Sequence, residues 1–254
     1  MKIGILCGHN INDLFEKGEK ISVDTTYGSV QLLTSRIADH DVFFLNRHGN
    51  QSNLPPHKVN YKANIEALHV AHVDCVISIG TVGSMNKSIL PGDFVVPHDF
   101  FDATKSRSVS FFDDKRVHVD MTDPFCPTLR KKLIEVCKEN KDVTLHPNGV
   151  YVTTEGPRLE TVSEIRFYAT IGEIVGMTLV PELVLAREKG LCFASLCIVC
   201  NMAAGMQKSL AVDEIKKIFA EKESYLAKIL KKTITNLTKK SDCECKQKQR
   251  DALL

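Results

Sequence analysis

The sequence lacks the features that mark membrane, secreted or disordered proteins. Its apolar runs reach only about six to ten residues, as in 192–200, which is too short for a transmembrane helix. The opening residues MKIGILCGHN are too polar for a signal peptide and instead predict a first strand. Charged residues make up 25% of the 254-residue chain, which is typical of folded proteins. We expect a cytoplasmic protein with no membrane partner.

A large net charge is also absent. The 33 Lys and Arg residues nearly balance the 31 Asp and Glu residues. Residues 236–254 carry five of the positive and three of the negative charges, so the rest of the chain is neutral overall. Net charge therefore gives no support to nucleic-acid or membrane binding, and a small molecule is the expected partner.

The nine cysteines show no spacing that predicts a metal site. Before residue 236, only Cys197 and Cys200 are spaced as C-x-x-C, and a strand would place them on opposite faces. No Cys/His cluster is present either, so we expect no metal and no organic cofactor. Most cysteines are predicted to be buried as small hydrophobic residues. Cys243 and Cys245 lie in the polar segment SDCECKQ, where a disulfide to the rest of the chain stays an open alternative.

Short apolar runs alternate with amphipathic helical runs through residues 1–235. The apolar runs are mostly continuous, which is typical of strands covered by helices on both faces. No linker divides this part, so we predict the α/β class and a single domain with a central β-sheet flanked by helices. Residues 236–254 are predicted to form a Lys-rich, solvent-exposed C-terminal tail with a C-x-C motif. The predicted strands are 2–7, 42–45, 73–80, 93–100, 149–155, 174–178 and 192–201, and the predicted helices are 58–71, 127–140, 161–171, 181–189 and 213–234.

Unusual polar residues follow the predicted strands directly. His9 follows the first strand, Arg47 and His48 follow the second, and Asn201 ends the last. Ligands of α/β proteins bind outside the carboxyl ends of the strands. These side chains are therefore predicted to converge on one polar pocket.

Eight segments, taken in order, resemble the trimeric purine nucleoside phosphorylases, a group that includes the methylthioadenosine phosphorylases. They are ILCGHN, NRHG, PHKVNYKANIEAL, GTVGSMN, PGDFVVPHDFFDAT, DPFCP, TEGPRLET and GMTLVPELVLAREKGL. The resemblance implies the nucleoside phosphorylase fold, with a mixed sheet, over residues 1–235. It also implies a pentosyltransferase of purine salvage, in which inorganic phosphate displaces the purine from C1′ and leaves a sugar 1-phosphate. A homotrimer or a dimer of trimers, with active sites at subunit boundaries, is implied as well.

The resemblance assigns phosphate binding to residues at several strand ends. A guanidinium fork suits a phosphate dianion, and glycine lets the backbone close around it. The chain departs from the family at His9-Asn10, where Ser or Thr followed by Gly is usual. The implied phosphate ligands are Gly8, His9, Arg47, His48, Thr81 and Thr178.

The base site resembles that of members that act on 6-oxopurines. An asparagine, Asn201, stands where members specific for 6-aminopurines have an aspartate, and Glu160 matches a glutamate of the 6-oxopurine members. A carboxylate at Glu160 accepts the N1–H of hypoxanthine or guanine, which adenine lacks, while the Asn201 amide serves O6 and N7. Val82, Gly83 and Leu159 complete the implied base site. We assign the catalytic roles to Asn201, Glu160 and His48.

The sugar site is implied to be apolar at the 5′ end. Val212 stands where relatives specific for a 5′-hydroxyl have histidine, Met177 is placed under the ribose, and His118 is donated by the neighbouring subunit. These residues favour S-methyl-5′-thioinosine, with inosine and guanosine as secondary substrates. Three alternatives stay open: a methylthioadenosine phosphorylase, a nucleosidase that uses water, and a non-catalytic nucleoside-binding protein.

Overall fold

A single large β-sheet organises the computed structural model, which describes residues 1–15, 18–49, 53–208, 212–238 and 243–252, with Asn12, Asp13 and Val212 described by their backbone only. Within this part of the chain there are eleven strands, seven α-helices and one short 3-10 helix, Pro56–Lys58. The strands are β1 Lys2–Cys7, β2 Glu19–Thr25, β3 Gly28–Ile37, β4 His40–Asn46, β5 Cys75–Ser84, β6 Phe94–Val95, β7 Asp99–Ala103, β8 Leu145–His146, β9 Val150–Thr154, β10 Ile174–Gly176 and β11 Cys192–Met202. The helices are α1 Asn12–Phe15, α2 Tyr61–Val70, α3 Pro127–Glu139, α4 Val162–Tyr168, α5 Leu179–Glu188, α6 Val212–Thr235 and α7 Cys245–Arg250.

The sheet is mixed and branches at β5. Its main path runs β2-β3-β4-β1-β5-β10-β9-β7, while β11 also pairs with β5 and leads through β6 to β8. Strands β4, β1, β5 and β11 are parallel to their neighbours in this group, so β1, β5 and β11 end at the same edge. Strand β10 is antiparallel to β5 and pairs with the last residues of β5, Gly83 and Ser84. This arrangement confirms the predicted fold class.

Helices cover both faces of the sheet. On one face α3 and α6 pack Leu133, Leu226 and Leu230 against β1, β5 and β11, and on the other α2 and α5 pack Leu68 and Leu183. All five predicted helices are present, with ends shifted by a few residues. Among the described helices, none is long and apolar enough to cross a membrane.

Local sequence signals set several helix ends. The Thr161 hydroxyl accepts a hydrogen bond from the Glu164 backbone N–H, and the Glu164 carboxylate accepts one from the Thr161 backbone N–H. This is the predicted capping box, and it starts α4 directly after Glu160. Helix α5 is followed by Gly190, whose φ of 67° requires the left-handed region that favours glycine.

One predicted strand was wrong, and β2, β3 and the two-residue β8 were not predicted. Segment 93–100, predicted as one strand, forms β6 and β7 instead, because Pro97 lies between them and cannot donate to a ladder. The hairpin of β2 and β3 was missed because its polar residues, which include Glu19, Lys20 and Gln31, face solvent and hide the apolar signal.

The C-terminal segment also differs from its prediction as a solvated tail. Residues 245–250 form helix α7, so α6 is not the last helix. Cys245 and Ala252 are buried, the Ala252 carbonyl accepts a hydrogen bond from the His118 backbone N–H, and Lys248 lies 2.8 Å from Asp120. The charged composition was misleading because the lysines face outward while the small apolar residues face the body.

Candidate active site

One pocket gathers most of the residues that the sequence nominated. It lies at the ends of β1, β4, β5, β10 and β11, and twelve of the fourteen predicted site residues line it. Their roles stay predictions, but the structure places them together. They are Gly8, His9, Arg47, His48, Thr81, Val82, Gly83, Leu159, Glu160, Met177, Thr178 and Asn201. We call Gly8, His9, Arg47 and His48 the anion end, and Gly83, Glu160 and Asn201 the base end.

Arg47 at the anion end is held in a buried ion pair. Its Nε and Nη2 atoms lie 2.6 and 3.0 Å from the two carboxylate oxygens of Glu182, and both residues are at most 3% exposed. Nη2 also donates to the Ser78 hydroxyl, and Nη1 donates to the Ile79 carbonyl oxygen. The guanidinium is therefore largely committed to protein partners, which corrects the expectation of a fork open to phosphate.

One donor of Arg47 is still available to a ligand. Nη1 carries two hydrogens, of which the described contacts use one, and a Cβ added to Gly8 would lie 3.5 Å from that nitrogen. Burial works to lower the pKa of Arg47, but the charge and hydrogen bonds of Glu182 outweigh burial and raise that pKa above its ordinary value. A permanent positive charge thus lies at the wall of the pocket.

His48 is neutral at the anion end. Burial, followed by the positive charge of Arg47, lowers the pKa of His48 to about 4. Its Nδ1 lies 2.6 Å from the Leu54 carbonyl oxygen, so this nitrogen carries the proton and Nε2 presents a lone pair. His48 is one of the implied phosphate ligands, and in this state its Nε2 can accept a hydrogen bond from phosphate but cannot donate one.

Two further features shape the anion end. A Cβ on Gly8 would come within 2.9 Å of the His48 ring, so only glycine lets the turn after β1 approach it. His9 stacks on Phe219 with ring centroids 4.2 Å apart, which anchors the residue that departs from the family pattern. Burial and Arg47 both lower the pKa of His9.

The base end places a carboxylate and an amide on the pocket wall. Glu160 accepts a hydrogen bond of 2.5 Å from the Thr154 hydroxyl, which leaves further lone pairs of the carboxylate for a ligand. Asn201 is 7% exposed, and its Nδ2 donates to the Met202 carbonyl oxygen at 2.9 Å. Its second amide hydrogen and its Oδ1 are not used by that bond.

Asn201 reaches its position through two backbone features. The register of β11 against β5 shifts between Val199 and Asn201, and such an irregularity changes the direction in which the following side chains point. A Cβ on Gly83 would lie 3.0 Å from Asn201 Nδ2, so Gly83 leaves the space that the amide occupies.

Sequence reasoning missed two charged residues that support the site. Glu182 lies among the apolar residues of α5, so sequence reasoning assigned it no separate role. The one available signal was a carboxylate in an otherwise apolar run, which the structure shows to be buried. Arg107 lies in a polar segment without a motif, and it donates to the carbonyl oxygens of Glu155, Met177 and Val180 at 2.6–2.7 Å. Arg107 thereby ties the segment after β9 to the segment after β10.

Two predicted sugar residues do not join the pocket. His118 is exposed and lies outside the pocket of its own chain, so a role in a neighbouring subunit stays a prediction. The side chain of Val212 lies outside the described part of the structure.

Comparison with known proteins connects this geometry to a family. A profile of the Phosphorylase superfamily matches residues 2–235. The chain belongs to this superfamily. One relative, the 6-oxopurine nucleoside phosphorylase of Pyrococcus furiosus, is 41% identical over 96% of each chain. The probable S-methyl-5′-thioinosine phosphorylase of Methanocaldococcus jannaschii is 40% identical over 99% of each chain.

A solved phosphorylase structure supports the same assignment. The methylthioadenosine phosphorylase of Schistosoma mansoni in complex with adenine has a TM-score of 0.92 and 28% identity to this chain. The match covers 100% of this chain and 97% of that one. These similarities confirm the predicted phosphorylase fold and the prediction of a purine nucleoside phosphorylase-type enzyme.

Proposed function

We propose that this phosphorylase cleaves 6-oxopurine nucleosides with inorganic phosphate, and that S-methyl-5′-thioinosine is its preferred substrate. Inosine and guanosine are proposed as secondary substrates. The observation that carries the proposal is the pairing of Glu160 with Asn201 at one end of a pocket whose other end holds Arg47. No organic cofactor is part of this proposal, because phosphate is the co-substrate.

The base end supports a 6-oxopurine rather than a 6-aminopurine. Glu160 keeps lone pairs for an N1–H donor, and adenine offers no such hydrogen. Asn201 has an unused N–H for O6 or N7, whereas an aspartate at this position would repel O6 unless it were protonated. The names of the Pyrococcus furiosus and Methanocaldococcus jannaschii relatives agree with this preference.

The reaction requires only positioning and electrostatics from the protein. A phosphate oxygen forms a bond to C1′ while the C1′–N9 bond breaks, and the electron pair of that bond moves into the purine. Asn201 stabilises the charge that develops on the departing base by donating to N7, and Glu160 holds N1–H. At the other end the remaining Nη1 hydrogen of Arg47 and the groups of Thr81 and Thr178 hold the anion.

His48 has a specific part in this proposal. Because Nδ1 is bonded to the Leu54 carbonyl oxygen, Nε2 can accept the hydrogen of a monohydrogen phosphate. That contact orients phosphate without placing a second cation beside Arg47. It also turns the protonated oxygen of phosphate toward His48, so that an unprotonated oxygen faces C1′.

The quaternary structure and location belong to the same proposal. We infer a homotrimer, with His118 of each chain reaching the sugar site of a neighbour, and a cytoplasmic location. Exposure of His118 in the single chain agrees with such a role. Light scattering of the purified protein measures the number of subunits directly.

A methylthioadenosine phosphorylase is the second candidate. The similarity to the Schistosoma mansoni enzyme favours it. Against it stands Asn201, which lacks the carboxylate expected opposite a 6-amino group. The two candidates differ at the base, so base preference separates them.

The deciding experiment is a turnover assay with and without phosphate. Methylthioinosine, inosine, guanosine, adenosine and methylthioadenosine are compared by kcat/KM. We expect methylthioinosine to lead and turnover to require phosphate. If inosine or guanosine has the highest kcat/KM, the proposal of an apolar 5′ site is wrong. If adenosine or methylthioadenosine has the highest kcat/KM, the assignment of a 6-oxopurine base is wrong. Turnover without phosphate would indicate a hydrolase, and tight binding without turnover would indicate a binding protein.

Asn201→Asp tests the base end in the same assay. We expect kcat/KM for 6-oxopurine substrates to fall by about 10- to 100-fold, because a carboxylate replaces the donor to O6 and N7. Asn236→Asp adds the same charge at an exposed site after α6 and serves as the control. Unchanged base preference in Asn201→Asp would contradict the assignment.

A further inference from the structure

Four cysteines from three separate parts of the sequence meet where the C-terminal segment packs against the body of the domain. Cys126 precedes α3, Cys192 begins β11, and Cys243 and Cys245 belong to the C-terminal segment. Their four sulfur atoms all lie within 4.8 Å of one another. Cys126, Cys192 and Cys245 are buried, and Cys243 is half-buried. The C-x-C pair of the tail thus faces two cysteines of the body.

The distances suit coordination of one ion. A tetrahedral zinc site with Zn–S bonds of about 2.3 Å places its sulfur atoms about 3.8 Å apart. Cys192 Sγ and Cys243 Sγ are 3.3 Å apart, which is a thiol contact and much longer than an S–S bond of about 2.05 Å. Shifts of about 1 Å or less in the side chains would bring the four sulfur atoms onto a tetrahedron.

A buried cation lies beside the cluster. Arg187 on α5 is 2% exposed, and its Nε has no hydrogen-bond partner among the described residues. Its Nη2 donates to the Asp120 carbonyl oxygen, and its charge acts on Cys245 of the cluster. Four thiolates around a divalent ion carry a net charge of about −2. Arg187 is placed to offset that charge.

We propose that Cys126, Cys192, Cys243 and Cys245 bind one Zn²⁺ as a closed structural site. Four protein sulfurs leave no open position, which distinguishes this site from catalytic zinc centres. The four thiols release their protons to solvent as four Zn–S bonds form, and no group is oxidised or reduced. This proposal departs from the sequence-based expectation of no metal, because the two body cysteines, Cys126 and Cys192, are far apart in the chain and neither has a C-x-x-C partner.

The ion would fasten the C-terminal segment to the body. Helix α7 has only six residues, too few to be stable by itself. The segment contacts residues 118–126 through the hydrogen bond from His118 to Ala252 and the ion pair of Lys248 with Asp120. Zinc binding therefore orders both the tail and the stretch that carries His118. This inference does not depend on the proposed substrate.

The first experiment measures metal and thiols in the full-length protein, purified without chelator under anaerobic conditions. We expect about one zinc per chain, and after exchange with Co²⁺ the visible absorption of a tetrahedral tetrathiolate site. Absence of zinc after reconstitution with zinc salt would overturn the proposal. Disulfides among these four cysteines in the anaerobically purified protein would overturn it as well, and bound iron would overturn the choice of zinc.

Variants locate the ion. The double substitution Cys243→Ser, Cys245→Ser changes only the terminal segment, and circular dichroism checks that the sheet and the helices before that segment stay folded. We expect its zinc content to fall from about one per chain to near zero. Cys137→Ala removes a buried cysteine of α3 outside the cluster and should keep the zinc. Zinc retained in the double variant would place the ion elsewhere and contradict the site.

Limited proteolysis gives a readout that is independent of turnover. Trypsin can cut after Lys246, Lys248 and Arg250, all in α7. We expect chelator to accelerate these cuts at least tenfold in the wild-type protein and to leave the double variant, already fast, unchanged. Equal cleavage rates with and without chelator in the zinc-loaded wild type would show that the ion does not hold the segment.

Discussion

At the anion end of the pocket, Arg47 is buried and shares five hydrogen bonds with Glu182, Ser78, Ile79 and Leu6, whereas at the base end Glu160 and Asn201 each use their side chain in one described hydrogen bond. The anion end is built into the core between β1, β4 and β5. The base end lies on the segment before α4 and near the ends of β5 and β11. The pocket therefore joins a part in which a charged side chain is tied into the core by five hydrogen bonds to a part in which the polar side chains keep hydrogen-bonding groups for a ligand.

This difference has a physical consequence for how each end can vary. A charge that is buried and paired cannot be removed without leaving its partner unpaired in a medium that solvates it poorly. A polar group at a pocket wall can be exchanged at little cost to the fold, because water replaces the lost partner. Substitutions at the anion end should thus affect stability and activity together, and those at the base end should affect base preference alone.

The largest effect is expected for Arg47→Ala. Removal of the guanidinium leaves Glu182 buried without a counterion, which should cost about 3–5 kcal/mol of unfolding free energy. For a domain of this size that corresponds to a fall in Tm of roughly 6–20 °C, measured by thermal unfolding. The double variant Arg47→Met, Glu182→Leu should recover most of the stability but not phosphate-dependent turnover. A loss below about 1 kcal/mol in Arg47→Ala would contradict a structural ion pair.

Glu160→Gln should separate activity from stability. The neutral amide accepts N1–H less strongly than a carboxylate does, so kcat/KM for 6-oxopurine nucleosides should fall by about 10- to 150-fold. The amide oxygen still accepts from Thr154, so the free energy of unfolding should change by less than about 1 kcal/mol. Steady-state kinetics and thermal unfolding of the same preparation measure both. A large fall in Tm would erase the distinction between the two ends.

His48 predicts a dependence of stability on pH at the anion end. Its pKa is about 4 in the folded state against 6.5 for an ordinary histidine, so the unfolded chain binds the proton first. The contribution of neutral His48 is therefore complete above about pH 6.5 and is lost as the pH falls toward 4. We expect Tm to decline over this range and the decline to be shallower in His48→Gln. The exposed His72→Gln is the control, and equal slopes in both variants would exclude His48 as the cause.

The smallest effect is expected for Thr161→Ala, which removes the hydroxyl of the capping box beside Glu160. Loss of such a cap costs about 0.5–2 kcal/mol, or a few degrees in Tm. Thr170→Ala removes a hydroxyl that bonds the Phe167 carbonyl oxygen beyond the other end of α4 and is the matched control. A fall in Tm no greater than that of the control would show that the cap does not hold the base end in place.

The sequence supported prediction best where the signal is local or repeated. The apolar runs of β1 and β11, the helical period of α3 and α6, and the capping box of α4 are each written in neighbouring residues. Prediction failed for β2 and β3, where exposed polar residues interrupt the apolar pattern. It failed as well for residues 93–100, where Pro97 separates two strands that were predicted as one. It also failed for α7, because a charged surface hides the few buried residues that anchor it.

The candidate site likewise contains residues that local sequence indicates and residues that only the folded chain brings into place. Its polar residues were recognisable because each stands directly after a strand, and the sheet then brings those ends together. The pairing of Arg47 with Glu182 could not be predicted, since 135 residues separate them and many carboxylates were available. Arg107 carried no signal at all, because its function is to bind carbonyl oxygens that only the folded chain collects.

The sequence by itself determined the α/β class, the order of most elements and the set of chemical groups at the pocket. Periodicity and strand-end position are properties of consecutive residues, so they can be read from the chain. The tertiary structure decided which charges are neutralised, which tautomer His48 adopts, and that four cysteines from three separate segments share one place. Those features depend on distances between residues far apart in the chain, and only packing of the sheet and helices sets such distances.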